Sequence, residues 1–279
     1  MSGAAAPTIA PTILPADSGP TILAADSGLG GLTVVAEIRK ALPRARLAYL
    51  CDNAFFPYGT RPDPDLLAHF LTVMDQAIER VQPDLIVTAC NTISTICLPQ
   101  LRAATSIPVV GVVPAVKPAA QQSRCKVIGL LATPATVDRP YTDDLIRRFA
   151  ADCAVLKIGS AELVEMAESK LLGHAVDRGM LRRILAPFFD RPAEEQPDVI
   201  VLACTHFPLL RDELQETSPA GVTWIDSGAA VARRVVEVLP AGRNGVSGPD
   251  VALTSAAADR ALQHALAQFG FAAVETLAA

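Results

Sequence analysis

The glycine motifs that cradle phosphates are missing from this sequence. No GxGxxG follows the first apolar segment, where residues 27–31 read SGLGG, and GxxxxGK[ST] does not occur. Nucleotide and dinucleotide cofactors are therefore not expected, and no motif points to pyridoxal phosphate. Aromatic residues make up only 5% of the chain, so Val, Ile, Leu and Ala must fill the core. The six cysteines, Cys51, Cys90, Cys97, Cys125, Cys153 and Cys204, include no CxxC pair. That spacing speaks against a disulfide framework or a paired zinc site, and the thiols are read as reduced. Positive charge is absent before Arg39, so the basic start of a secretory signal is lacking. No apolar run approaches the roughly 20 residues of a membrane span. Net charge is −5, and no block of like charge marks a nucleic-acid surface. A cytoplasmic protein follows as the expectation, bound to neither membrane nor nucleic acid, with a small solute as its partner.

What is present is alternation. Short apolar segments (TILAAD, RLAYLCD, DLIVTAC, IPVVGVV, KVIGLLAT, CAVLKIG, DVIVLAC, VTWID, VALTSA) are separated by stretches with helical spacing. Strands joined through helices predict parallel sheets with right-handed crossovers. Continuous apolar runs such as DLIVTAC suit strands covered on both faces. The expected fold is α/β, with two pseudo-symmetric lobes. Each is a mostly parallel sheet flanked by helices, and the active site lies in the cleft between them. Pro114 and Pro118 bracket the expected crossing. The expected division is residues 20–115 in the first lobe, 116–222 in the second, and 223–279 returning to the first with a C-terminal helix. Ahead of these, PTILPADSG (11–19) duplicates PTILAADSG (20–28), but only the second copy runs on into a helix. Residues 1–19 are read as a flexible extension.

A longer-range duplication carries the chemistry. QPDLIVTAC (82–90) and QPDVIVLAC (196–204) share seven of nine residues, and both end in cysteine. A single buried cysteine is usually a small hydrophobe, but that role gives no reason to recur in register. Two similar lobes facing one another would bring Cys90 and Cys204 to opposite sides of a bound carbon, as inversion by two acid–base groups requires. A helix N-terminus can lower a thiol pKa, and both cysteines are expected at helix starts. His206 and Asp26 are placed to assist proton movement at Cys204 and Cys90 respectively. Four strand ends, Asp26-Ser27-Gly28, Cys90-Asn91-Thr92, Cys204-Thr205-His206 and Asp226-Ser227-Gly228, read either as helix caps or as an anion site. A zinc site on Cys90, Cys204 and His206 is a competing reading. So is a Cys-His-Asp acyl-transfer triad, which leaves one cysteine idle.

The segments ADSGLGGLTVV, DNAFFPYGTR, VTACNT, IPVVGVVPAVKPAA, GLLATPATVDRPYT, GSAELVEMAE, VLACTHFPLL and IDSGAAVARR occur in that order. Together they resemble the glutamate racemase family of the bacterial cell-wall pathway, in the style of its proteobacterial members. The resemblance implies interconversion of L- and D-glutamate without cofactor or metal, supplying D-glutamate for peptidoglycan. It implies that Cys90 and Cys204 are catalytic, with Cys90 acting on D-glutamate and Cys204 on L-glutamate. The family's substrate-binding pairs fall on Asp26 and Ser27, Tyr58 and Gly59, Asn91 and Thr92, and Thr205 and His206. An auxiliary acid falls on Glu168, with Glu162 and Glu165 nearby as alternatives. Some members are activated by a peptidoglycan precursor and some bind DNA gyrase; both properties stay open for this chain, as does a homodimer. Two departures from the family pattern are Ala203, where glycine is frequent, and Ile93, where a small residue is frequent. A racemase acting on aspartate or another amino acid, and a non-catalytic binding protein on the same fold, are the alternatives.

Overall fold

The computed structural model describes residues 19–239 and 248–277. The expected N-terminal extension, apart from Gly19, lies outside the described residues. The chain runs β1 (Thr21–Asp26), α1 (Leu32–Ala41), β2 (Arg46–Cys51), α2 (Asp63–Val81), β3 (Leu85–Thr88), α3 (Asn91–Ala104) and β4 (Val109–Gly111). It continues with α4 (Val116–Gln122), β5 (Val127–Ala132), α5 (Pro134–Val137), α6 (Pro140–Phe149), β6 (Ala154–Gly159), α7 (Glu162–Leu171), α8 (Arg178–Phe189) and β7 (Val199–Leu202). Last come α9 (Arg211–Thr217), β8 (Thr223–Ile225), α10 (Gly228–Val238), β9 (Val251–Thr254), α11 (Arg260–Gln268) and β10 (Ala273–Thr276).

The strands form two sheets, ordered β10-β9-β2-β1-β3-β4 and β6-β5-β7-β8. Every strand pair in both is parallel. The run β2-β1-β3-β4 has the same order as β6-β5-β7-β8, so one topology is written twice and β9 and β10 extend the first copy. Both faces of each sheet are covered. In the first, Ile22, Ala24, Leu85 and Val87 face one core, while Leu23, Ala25 and Ile86 face the other. In the second, Leu131, Ile200 and Leu202 oppose Ile128, Leu130, Val199 and Val201. This period-two alternation between two apolar layers explains why β3 and β7 read as unbroken apolar runs.

Three expectations change. The crossing expected between Pro114 and Pro118 ends sooner, because α4 begins at Val116; Pro118 sits in its first turn, where a backbone N–H has no intrahelical partner to lose. Thr223–Ile225 pairs with β7, so the second sheet extends past the expected return at residue 223. The chain comes back through α10, whose Val231, Ala232 and Val235 join the core of the first sheet. β10, which the sequence reading did not include, pairs with β9 at the sheet edge. No described helix is long and apolar enough to cross a membrane.

Candidate active site

Both sheets present the carboxyl ends of their central strands to one cavity. This is where open parallel sheets bind ligands, at the point where strand order reverses. In the first sheet the reversal lies between β1 and β3, which deliver Asp26 and Cys90. In the second it lies between β5 and β7, which deliver Thr133 and Cys204. Cys90 and Cys204 both line the cavity, and both are almost fully buried.

The two thiols have different surroundings. Cys90 is the extended residue that starts α3, and the backbone N–H of Ile93 hydrogen-bonds to its sulfur. Burial pushes this thiol well above its ordinary pKa, and the charge of Asp26 adds to the effect; the Ile93 N–H works the other way. The lowering expected from a helix start is thus outweighed by desolvation and a neighbouring carboxylate. Asp26 is completely buried. It accepts the Ser27 N–H at 2.7 Å and the Thr205 hydroxyl at 3.0 Å, and hydrogen-bonds with Cys90. Burial raises its pKa, against the lowering influence of His206. Cys204 does not open an α-helix directly. A 3₁₀ turn at Phe207–Leu210 follows it, and α9 begins only at Arg211. Its neighbour is His206, whose Nδ1 lies 3.8 Å from Sγ.

His206 and Glu168 act as a unit. His206 Nε2 lies 2.7 Å from Glu168 Oε1, and the same oxygen accepts the Leu29 N–H at 2.6 Å. Burial opposes a charged ring, but the hydrogen bonds to Cys204 and Glu168, with their charges, hold the His206 pKa well above its ordinary value. The protonated ring then donates to Cys204 on one side and Glu168 on the other. The Gly30 N–H points at Nε2 from 3.2 Å, so a neutral ring can accept from it without moving. Two glycines make this packing sterically possible. A Cβ on Gly28 would stand 2.2 Å from Glu168 Oε1, and one on Gly30 would stand 2.4 Å from His206 Nδ1. Of the three candidate glutamates only Glu168 reaches the site, while Glu162 and Glu165 are exposed.

The other expected residues divide plainly. Ser27, Tyr58, Gly59, Asn91, Thr92, Thr205 and His206 line the cavity; Asp26 and Glu168 stand behind its wall. Among the described residues no lysine or arginine lines it. A carboxylate bound here would meet backbone N–H groups, hydroxyls, the Asn91 amide and the His206 ring. Asn91 lies in the wall, and its Oδ1 is buried with no hydrogen-bond partner among the described residues. Asp226-Ser227-Gly228 does not line the cavity. Asp226 accepts the Gly228 N–H and pairs with Arg211, and Ser227 donates to Val113 O, so this fourth strand end is a structural cap. Cys90, Cys204 and His206 are not disposed as a ligand set, and the described residues contain no group of three or more His, Cys, Asp or Glu able to hold a metal.

The sequence pattern of the Asp/Glu/hydantoin racemase family matches residues 32–235. The chain belongs to this family. As a member of it, the protein is an isomerase. A glutamate racemase of Shewanella loihica is 47% identical over 245 residues, covering 88% of this chain and 91% of its own. One from Salmonella typhimurium is 49% identical over 229 residues, 82% of this chain and 77% of its own. The crystal structure of Escherichia coli glutamate racemase, in complex with L-glutamate and the activator UDP-MurNAc-ala, shares 44% identity and superposes with a TM-score of 0.89. That match covers 93% of this chain and 98% of the E. coli chain.

Within this racemase several site residues were not singled out from sequence. Thr133 and Thr136 form a hydroxyl cluster with Thr92, with Oγ1 separations of 3.0–3.4 Å. Thr133 occupies the place after β5 that Ser27 occupies after β1, so the duplicated topology was the signal that could have found it. Gly28 was singled out only as part of a strand-end tripeptide, and nothing local announced the side chains that press on it and on Gly30.

Proposed function

We propose that this chain interconverts L- and D-glutamate by proton transfer at Cα between Cys90 and Cys204, without a cofactor. The observation that carries the reading is the convergence of the two repeat cysteines on one cavity, each from its own sheet. The choice of glutamate rests on the relatives named above.

In this reading, one cysteine enters the reaction as thiolate and the other as thiol. The thiolate takes the Cα proton, and the electron pair left on carbon spreads into the α-carboxylate. The opposed thiol then delivers its proton to the other face. Charge develops on carboxylate oxygens, so N–H groups at the start of α3 and the Ser27 and Thr92 hydroxyls stabilise the transition state more than the ground state. Asn91 Oδ1 is the acceptor for the substrate ammonium. His206 steadies charge at Cys204, and Asp26 stands behind Cys90. The turnover exchanges the two sulfur protonation states, which proton exchange with solvent restores.

The D-glutamate so made would serve peptidoglycan synthesis, and a precursor like the activator bound to the E. coli relative is the effector to include. The test is racemisation of L-glutamate by purified protein with no cofactor added, followed by circular dichroism, with L-aspartate in parallel and the precursor present or absent. The expected result is loss of the glutamate signal, and incorporation of solvent deuterium at Cα of the product in D2O. Full activity in a Cys90→Ser, Cys204→Ser double variant would overturn the mechanism; a clear preference for aspartate would overturn the substrate.

A further inference from the structure

Tyr58 reaches the cavity wall from a loop, not from a strand end, and something must hold it there. Its hydroxyl donates to Asp52 Oδ2 at 2.6 Å. Asp52 follows β2 and is completely buried. No lysine or arginine among the described residues pairs with it; the basic group on it is His69, with Nε2 at 2.9 and 3.0 Å from its two oxygens. Ser255, the residue after β9, donates its hydroxyl to Oδ1 and accepts the Ala54 N–H at 3.0 Å. The Asp52 N–H in turn donates to Asp26 O at 2.9 Å, which ties this group to the strand end behind Cys90.

We infer that Asp52 is a positioning residue for the proposed racemase site: its carboxylate, held by Ser255 and His69, fixes Tyr58 and the adjoining Gly59 in the cavity wall. The geometry calls for a carboxylate. Tyr58, Ser255 and His69 all present donors, and an ionised Asp is acceptor-only, whereas an amide must turn one N–H toward a donor. Burial makes that mismatch costly. The solvent side is closed by a stack. The His69 ring lies 4.0 Å from Phe55, nearly parallel, and Arg61 covers the other contact of Phe55 at 4.7 Å while holding Phe55 O and Phe56 O. Phe56 meanwhile packs on His206. One short loop is therefore fixed at Asp52 and presents residues both to the cavity and to the group beside Cys204.

The inference rests on the racemase reading, and the experiment separates the two. Asp52→Asn, Tyr58→Phe and the double variant are compared for KM and kcat with glutamate. If Asp52 acts through Tyr58, Asp52→Asn raises KM by about tenfold with kcat changed far less, and the double variant is no worse than the poorer single one. Ser255→Ala, a smaller lesion of the same anchor, raises KM in the same direction and decides the matter should Asp52→Asn fail to fold. Unchanged KM in folded Asp52→Asn or in Ser255→Ala, or additive effects with Tyr58→Phe, would overturn the assignment while leaving the racemase reading intact. A wild-type chain inactive on glutamate would remove both together.

Discussion

Asp84 and Asp198, the third residues of the two QPD segments, both accept hydrogen bonds where the chain enters the neighbouring central strand. Asp84 Oδ2 accepts the N–H of Thr21, the first residue of β1, at 2.9 Å. Asp198 accepts the Ser123 hydroxyl at 2.7 Å and the Arg124 N–H at 2.8 Å, on the chain about to enter β5. The glutamines correspond as well. Gln82 Nε2 donates to Ile78 O and Glu79 O at the end of α2, and Gln196 Nε2 donates to Phe189 O at the end of α8 and to Arg191 O just beyond it. The repeat therefore has two jobs. Its first three residues close the preceding helix and register the central strands, and its last one delivers a thiol to the cavity.

Asp198→Ala should destabilise the fold without disturbing the site. The lost bonds to Ser123 and Arg124 are partly exposed, so the cost is about 1–2 kcal/mol. Burial works against the ionised carboxyl, but its hydrogen bonds with Ser123 and the Arg124 N–H hold its pKa below the ordinary value. A folded pKa below the unfolded one gives stability that is present above the unfolded value of about 3.9 and is lost as pH falls through the folded value. Urea unfolding should show a wild-type advantage at neutral pH that narrows in acid. An advantage that grows in acid would reverse the sign of this argument.

Gly30→Ala should disable catalysis in a chain that still folds. The new Cβ would meet the His206 ring at 2.4 Å, and that ring is held by Cys204 and Glu168, so it must leave at least one of them. A displacement of about 1 Å in a catalytic group costs on the order of 10²-fold in rate. The expected signature is a fall in kcat with a near-normal far-UV spectrum and Tm; wild-type kcat would show that His206 placement does not matter.

Much of this was legible in the sequence, for physical reasons. Parallel strands buried on both faces must be apolar throughout, so DLIVTAC and DVIVLAC declared themselves, and the strand ends marked Cys90, Asn91, Thr92, Cys204, Thr205 and His206. Contacts between distant segments were not legible. Glu168 differs from Glu162 and Glu165 only in which face of α7 it occupies relative to His206, a matter of packing between elements. Asp52, His69 and Ser255 are far apart in sequence and carry no motif of their own. The fourth tripeptide, at Asp226, looked like the others because a cap and an anion site use the same residue types; only its distance from the cavity separates them.

Asp26→Asn should make Cys90 easier to alkylate. Burial is the larger cause of the high Cys90 pKa, and the Asp26 charge comes next. Removing that charge lowers the thiol pKa and raises the thiolate fraction, which is the form that reacts. Iodoacetamide labelling, read at Cys90 by peptide mass spectrometry so that exposed Cys125 does not interfere, should shift its pH profile to lower pH in the variant. A shift to higher pH would mean that Asp26 helps to ionise Cys90 instead.

His206→Asn should separate the two half-reactions. His206 touches Cys204 and not Cys90, so its loss slows the proton transfers at Cys204 alone. With Cys204 acting on L-glutamate, as the family resemblance implies, breaking the L-enantiomer's Cα–H bond becomes rate-limiting in that direction. The primary isotope effect with L-[2-²H]glutamate then grows. In the other direction Cys90 removes the proton quickly, and the slow step is delivery from Cys204, whose proton comes from solvent. The isotope effect with D-[2-²H]glutamate should shrink, while the solvent isotope effect in that direction rises. Overall kcat/KM falls equally for both enantiomers, because their equilibrium constant is fixed at unity by symmetry. Only the isotope effects carry the distinction, and the opposite pattern would assign Cys204 to the D-enantiomer.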